Sequence, residues 1–425
     1  MKVAFLMQRR NYYRVLGPVV DRALARGWDT ECWDVDRETF KGPRALERRV
    51  ALPVFHSGTP RMRTYSGDTG PAPLLTDVEP DVVVTLRPPA GIAAGGRSRW
   101  LALQYTLDLG GLIDGAGRTM FDAIGVHTEH WGARAADCVR VIEFNRARSL
   151  NRPPEPVDDV AVADTMRRRA TVVGFPELDQ FRAIDPAAVR RRLGLDPGRP
   201  IVVFCPFPFN SNPRTLWTRE IYGGGRLRQR LALWRAGGRR YATHVANGWD
   251  DRGVVNAVRA FCDANGAALV VKARPKDPAR SYLARVADRV IYEETDYPAI
   301  ILEVLSIASL CVHSFSTVAY EAAYAGVPSI CITADGDDLG FPPLWREWFL
   351  STAPGSSFNI PGVIYPLTVE QMVSDFSRRR LADFPLHPAA RAHYLETFVG
   401  FDDGKSSDRL LDLAAALAEG GGGAR

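Results

Sequence analysis

Lysine is nearly missing from this chain. Its 425 residues carry 54 Lys plus Arg, yet the lysines are only Lys2, Lys41, Lys272, Lys276 and Lys405. Arginine supplies the rest, so the few lysines mark positions where a compact ammonium is not interchangeable with a planar guanidinium. Long apolar runs are missing too. None reaches the roughly 18 residues of a spanning helix, and the most apolar stretch, from Ile300 to Val312, is broken by Glu303 and Ser306. The opening M-K-V-A-F-L-M-Q-R-R lacks the long apolar region and cleavage site of a signal peptide and reads as a first buried strand. Cys32, Cys138, Cys205, Cys262, Cys311 and Cys331 contain no C-x-x-C pair. They read as small core residues in a reducing cytoplasm, with no metal site and no cofactor expected. The net charge of +5 is too mild for a nucleic-acid partner, but leaves room for anionic substrates or a peripheral contact with the inner face of a membrane.

What is present is the composition of a soluble globular protein, 46% hydrophobic and 24% charged. At this length one core is too small, and two domains are expected. Short apolar segments alternate with helical patterns: Val3–Met7, Asp29–Val35, Asp81–Leu86, Trp100–Tyr105, Ala123–His127 and Val172-Val173. A turn-rich break, Asp196-Pro197-Gly198-Arg199-Pro200, precedes a second run of the same kind. Its members are Ile201–Cys205, Ala268–Lys272, Val290–Tyr292, Leu310–His313 and Ser329–Thr333. Apolar strands separated by helices specify parallel sheets covered on both faces. The expected fold is therefore α/β, with two Rossmann-like doubly wound domains facing a cleft. Residues 1–195 form the first domain, 196–398 the second, 399–419 a C-terminal helix crossing back to the first, and 420–425 a disordered tail.

The richest segment is L-C-V-H-S-F-S-T-V-A-Y-E-A-A-Y-A-G-V-P-S-I-C-I, from Leu310 to Ile332. It reads as strand, hydroxyl-rich turn, helix, Gly-Val-Pro turn and strand. Ser314, Ser316 and Thr317 stand where the helix starts. They suit either an ordinary cap or a phosphate held by the unpaired N–H groups there. Glu321 follows on the helix, as a hydroxyl-recognising carboxylate or as a charge favouring the helix start. Lys272 and Lys276 flank A-R-P, and Arg274 between them offers a bidentate fork to a phosphate. Asp335, Asp337 and Asp338 read as a solvated loop. Tyr292, Glu293 and Glu294 follow a strand, where they either meet a base or lie exposed. A general base is sought in G-V-H-T-E-H-W-G: His127, Glu129 and His130, with Asp108 and Asp114 as rivals. Arg87 joins the same side. His244 and His313 have weaker cases.

Four ordered pieces carry a resemblance: V-V-G-F-P-E-L-D (172–179), K-A-R-P-K (272–276), S-F-S-T-V-A-Y-E (314–321) and F-D-D-G-K-S-S-D-R (401–409). Together they resemble the GT-B superfamily, most nearly its CDP-glycerol glycerophosphotransferase-like branch, which serves teichoic acids and capsular polymers. The resemblance implies a nucleotide-diphosphate donor held by Lys272, Arg274, Lys276, Ser314, Ser316, Thr317 and Glu321, with Lys405 and Ser406 at the closing helix start. It also implies a glycan or lipid-linked acceptor. Two pieces depart from the branch. Arg274 stands where it has histidine, and Q-Y-T (104–106) stands where it has glutamine-histidine-glycine. These departures turn the expectation toward a metal-independent glycosyltransferase using the same cleft. A nucleotide-sugar 2-epimerase-like enzyme and a catalytically silent nucleotide-sugar-binding protein are the alternatives.

Overall fold

A computed structural model describes residues 1–36, 51–92, 97–105, 109, 111–206, 251–273, 279, 281–292, 297–333 and 343–420. They divide into two compact units. One comprises Met1–Arg182, Glu294–Ile300 and Leu395–Arg425; the other comprises Ala183–Glu293 and Ile301–Tyr394.

The first unit is built on a seven-stranded parallel sheet. Its strands are β1 (Lys2–Met7), β2 (Asp29–Val35), β3 (Arg61–Tyr65), β4 (Val82–Thr85), β5 (Arg99–Leu103), β6 (Ala123–Val126) and β7 (Ala170–Val172). They lie in the order β3-β2-β1-β4-β5-β6-β7. β4 and β6 are buried throughout and β1 nearly so, which is why they read as unbroken apolar runs rather than alternating ones. The helix Tyr12–Ala25 and the C-terminal helix Ser406–Gly420 share a core with the sheet, through Val15, Leu16 and Val19 on one helix and Leu410, Leu411 and Ala414 on the other.

The second unit holds a six-stranded parallel sheet: β8 (Ile201–Phe204), β9 (Ala268–Lys272), β10 (Arg289–Ile291), β11 (Leu310–His313), β12 (Ser329–Thr333) and β13 (Ile364–Thr368). The order is β10-β9-β8-β11-β12-β13. Phe204, Leu269, Val271, Leu310, Val312, Ile330 and Ile332 line one face with Phe261 and Phe376.

Two strands carry no clear sequence signal, for the same physical reason. Both are edges. β3 has only Tyr65 buried, and it is held by Arg61 and Arg63, whose guanidinium groups donate to the fully buried Glu31 carboxylate of β2 at 2.9 Å each. β13 contains Pro366, which has no N–H to donate and is therefore tolerated at an edge, where only one side of the strand is paired.

The sequence-based break after Leu195 falls inside the second unit. The helix Pro186–Leu193 belongs there because Arg190 donates to the carbonyls of Asp196, Arg199 and Ile307, and Arg192 pairs with Glu303. Gly420 ends the C-terminal helix, and 421–425 lie outside the described residues.

Candidate functional site

In the second sheet the chain winds outward from β8 through β9 to β10, then returns to the other side of β8 with β11. The switch point therefore lies between β8 and β11. Ligands of open α/β sheets bind there, beyond the carboxyl ends of the strands. The hydroxyl turn leaves β11 at that place.

The turn is pinned from both sides. The buried Ser314 hydroxyl donates to the Ile332 carbonyl at 2.9 Å, and the Phe315 amide donates to Cys331 Sγ at 3.4 Å. Phe315 sits at φ +40, in the left-handed region that a residue with a Cβ seldom enters. The helix Val318–Tyr324 follows, and every residue in it is buried. Ser316 Oγ accepts from the Val318 amide at 3.3 Å. Thr317 is the N-cap residue, but its side chain makes no capping bond. Ser316 and Thr317 are half-buried, whereas Ser314 is enclosed. Ser314 thus shapes the turn, and Ser316 and Thr317 are its partly exposed hydroxyl residues. The Cys311 thiol is raised well above its ordinary pKa by its hydrogen bond with Cys205 and by burial, with the enclosed Glu321 adding to this.

Register places further groups beside the turn. Phe204 pairs with Val271 of β9 and with Val312 of β11. The Cys205 amide continues the ladder by donating to Val312 O at 2.9 Å. One level beyond those pairs, Cys205 therefore stands between Lys272 and His313, and His313 pairs onward with Cys331 of β12. Residues abreast in a sheet point to the same face. The row Lys272–Cys205–His313–Cys331 thus lies on the face opposite Phe204, Val271 and Val312, at the carboxyl edge. Lys272 is largely buried. His313 is fully buried, with Nε2 3.3 Å from Ser329 Oγ, and burial pushes its pKa down to about 3. Arg274, Lys276, Glu293, Glu294, Asp335, Asp337, Asp338 and His244 lie outside the described residues.

The proposed bases belong to the first unit, and the structure corrects the leading one. His127 directly follows β6 and is buried in the core, stacked on Phe175 with ring centroids 4.0 Å apart. Neither ring nitrogen makes a hydrogen bond of standard geometry among the described residues. Burial drives its pKa down to about 3, the nearby Gln104 backbone opposing this only weakly. A ring so enclosed is not a base for a substrate at neutral pH. The sequence marked it because a histidine at a strand end looks the same whether it faces solvent or the core. His130 is half-buried, edge-on to Trp131 and Phe398, its pKa lowered by burial and by Arg134. Glu129 is exposed in the first turn of the helix Glu129–Ala133. Asp114 accepts from Ala116, Arg118 and the Arg118 guanidinium, so it organises its own turn. Asp108 lies outside the described residues.

Lys405 and Ser406 also belong to the first unit, whereas Lys272, Ser314, Ser316, Thr317 and Glu321 belong to the second. The 172–179 and 401–409 segments clasp one another. Asp179 accepts from the Ser406 amide at 3.1 Å and the Ser407 amide at 2.6 Å, so a protein carboxylate already caps this helix. Gly174, at φ +86, would bring a Cβ to 2.5 Å from Ser406 Oγ. Gly400, at φ +98, would bring one to 2.5 Å from the His127 carbonyl oxygen. Close approach of the two segments accounts for the glycines here.

No family model matches the chain, and no curated protein matches it in sequence. Solved structures do match. The wall teichoic acid polymerase TagF gives a TM-score of 0.54 at 12% identity, over 99% of this chain and 89% of that one. A putative UDP-N-acetylglucosamine 2-epimerase from Listeria monocytogenes gives 0.52 at 11%, over 98% and 96%. The UDP-GlcNAc 2-epimerase from Neisseria meningitidis, solved bound to UDP-GlcNAc, gives 0.51 at 11%, over 98% and 100%. At such identity the likeness is one of fold. The chain has the two Rossmann-like parallel-sheet domains of the GT-B type.

Proposed function

We propose that the chain is a GT-B glycosyltransferase. It moves a sugar, or a polyol phosphate, from a nucleotide-diphosphate donor to a hydroxyl of a glycan or lipid-linked acceptor in surface polysaccharide or glycolipid synthesis. The observation that carries this reading is the hydroxyl turn at the switch point of the second sheet, with Phe315 held in the left-handed region and Ser316 and Thr317 partly exposed. Such a turn offers hydroxyls and N–H groups to a diphosphate. Lys272, two strands away at the same edge, supplies positive charge.

Leaving-group departure builds negative charge on the diphosphate. Groups fixed in advance stabilise that charge without reorganising. Protein groups carry this burden in the reading, so turnover should persist in EDTA. His130 and Glu129 remain the proposed bases. Peripheral attachment to a membrane fits the mild positive charge, and no helix among the described residues is long and apolar enough to cross one.

A panel of UDP, GDP, CDP, CMP and their sugar or polyol conjugates tests this by thermal shift, because a ligand of the folded state must raise its stability. A shift with one nucleotide family names the donor class; no shift with any of them removes the reading. A second reading, a 2-epimerase-like enzyme, is favoured by the enclosure of His127 and by the fold likeness to UDP-GlcNAc 2-epimerases. Free nucleotide and an epimerised sugar, formed without any acceptor, would identify it.

A further inference from the structure

The segment Leu395–Val399 is wound wider than an α-helix: the Gly400 amide donates to the Leu395 carbonyl, five residues back, at 2.7 Å. Single π turns of this kind occur often at functional sites. This one is gripped by the loop that follows β6. Gly400, at φ +98, lies so close that a Cβ would stand 2.5 Å from the His127 carbonyl oxygen. The Thr128 hydroxyl donates to the Thr397 carbonyl at 2.8 Å, and the Trp131 indole N–H donates to the Phe398 carbonyl at 2.9 Å. His130 sits inside that grip. Its ring stands edge-on to Trp131 and to Phe398, with centroids 5.1 Å away in each case. Trp131 and Phe398 are both buried, so the walls of the notch are fixed. Unlike the sealed His127, His130 is half-buried, and its side chain makes no hydrogen bond among the described residues.

We propose that this π turn is a positioning element: through Trp131 and Phe398 it holds the His130 imidazole in one orientation to take the proton of the acceptor hydroxyl. The proton-taking half rests on the reading of His130 as a base given above, and it prefers His130 to the exposed Glu129. In the step, the acceptor O–H bond breaks and its proton goes to the unprotonated ring nitrogen, giving the imidazolium. The oxygen's freed pair forms the bond to the donor's transferred group, and the nucleotide leaves with the pair of the broken bond. The aromatic walls keep water off the ring, which favours its uncharged form. Burial, and then Arg134 at the end of the same helix, lower the His130 pKa. Arg134 is itself paired with Asp137, and the other charges on the two elements, Glu129 and Glu396, are exposed. A ring that is neutral at neutral pH has its lone pair available to a proton.

The test follows the histidine Cε1–H signals of the purified full chain by NMR across pH, with His130 assigned by its loss in His130→Gln. The wild-type midpoint is expected below the ordinary histidine value of about 6.5. Trp131→Phe keeps an aromatic wall but removes the indole N–H, and Thr128→Val removes the second bond to the π turn. Both should move the His130 midpoint upward, because a freed ring gains water and with it the charged form. Thr128→Val decides if Trp131→Phe does not fold. A midpoint unchanged in the variants, or a wild-type midpoint at or above the ordinary value, overturns the positioning role. The base role is read separately, on whichever nucleotide conjugate of the panel shifts the melting temperature. Release of its nucleotide should fall at low pH with the midpoint that NMR gives for His130. In Trp131→Phe, kcat should drop about tenfold with KM for the conjugate unchanged. An acid limb that persists in His130→Gln overturns the base role. If no conjugate shifts the protein, the donor reading fails and the base role falls with it, while the NMR midpoints still decide whether the π turn holds His130.

Discussion

Two helix starts in this molecule look alike in sequence and end differently. Both are marked by small hydroxyl residues: Ser314, Ser316 and Thr317 before Val318–Tyr324, and Ser406 and Ser407 at the head of Ser406–Gly420. At the second, the Asp179 carboxylate takes the Ser406 and Ser407 amides, and two glycines let the backbones close on one another. At the first, the Ser314 hydroxyl is spent on the Ile332 carbonyl and the Ser316 hydroxyl on the Val318 amide, while the half-buried Thr317 side chain makes no cap. One start is closed by a carboxylate from a distant segment; the other is capped locally by the Ser316 hydroxyl on the Val318 amide, and the donor diphosphate is proposed to bind there. Hydroxyl residues at a helix start therefore mark a place where an anion fits, and the rest of the fold decides whose anion it is.

The comparison can be broken at four places. The largest effect is expected at Gly400→Val. It combines a left-handed φ with a backbone contact at 2.5 Å, and should cost about 3 kcal/mol of the first unit's stability or prevent folding, as read by chemical denaturation. Nucleotide binding by any protein that does fold should be unchanged. Next, Ser316→Ala with Thr317→Ala should weaken the donor by about 1–3 kcal/mol, seen as a rise in Kd by calorimetry, with the melting temperature of the unliganded protein nearly constant. Unchanged affinity would mean the first helix start is as closed as the second.

Asp179→Ala should lower stability by about 1–2 kcal/mol, the usual worth of a lost cap, and leave donor affinity alone. Its pH dependence has a definite sign. Burial raises the Asp179 pKa, outweighing the Ser407 and Ser406 bonds that lower it. A carboxyl whose folded pKa is raised contributes stability that is full below the unfolded value of about 3.9 and declines as pH rises through the folded value. Asp179→Asn keeps an acceptor oxygen without that titration, so its stability should vary less with pH over this window than the wild type's. The smallest effect is expected at Lys405→Ala, within about 0.5 kcal/mol and with no change in Kd for nucleotide. A large loss of affinity there would return the closing helix to the donor site.

Much of the architecture was legible in the sequence. Val82–Thr85, Ile201–Phe204 and Leu310–His313 are buried on both faces, and a strand of that kind cannot hide its composition. β3 and β13 were not legible, because edge strands bury little and are held by contacts from elsewhere, as Arg61 and Arg63 are by Glu31. Of the site, the hydroxyl turn showed in the order of its residues. His127 misled because a strand-end histidine carries no sign of its own burial. The row Lys272–Cys205–His313 was invisible because its members are separated by 67 and 41 residues of chain and meet only through register.

The sequence by itself determined what is local: apolar periods that make parallel strands, glycines and prolines that end helices, hydroxyls that suit a helix start, and a shortage of lysine that singles out Lys272. Tertiary structure alone decided what depends on distant partners. It chose which helix start received a carboxylate, which histidine was sealed into the core, and which cysteine was left at an edge. The physical reason is that propensity acts over a few residues, whereas burial, register and counter-charge are supplied by segments far away along the chain.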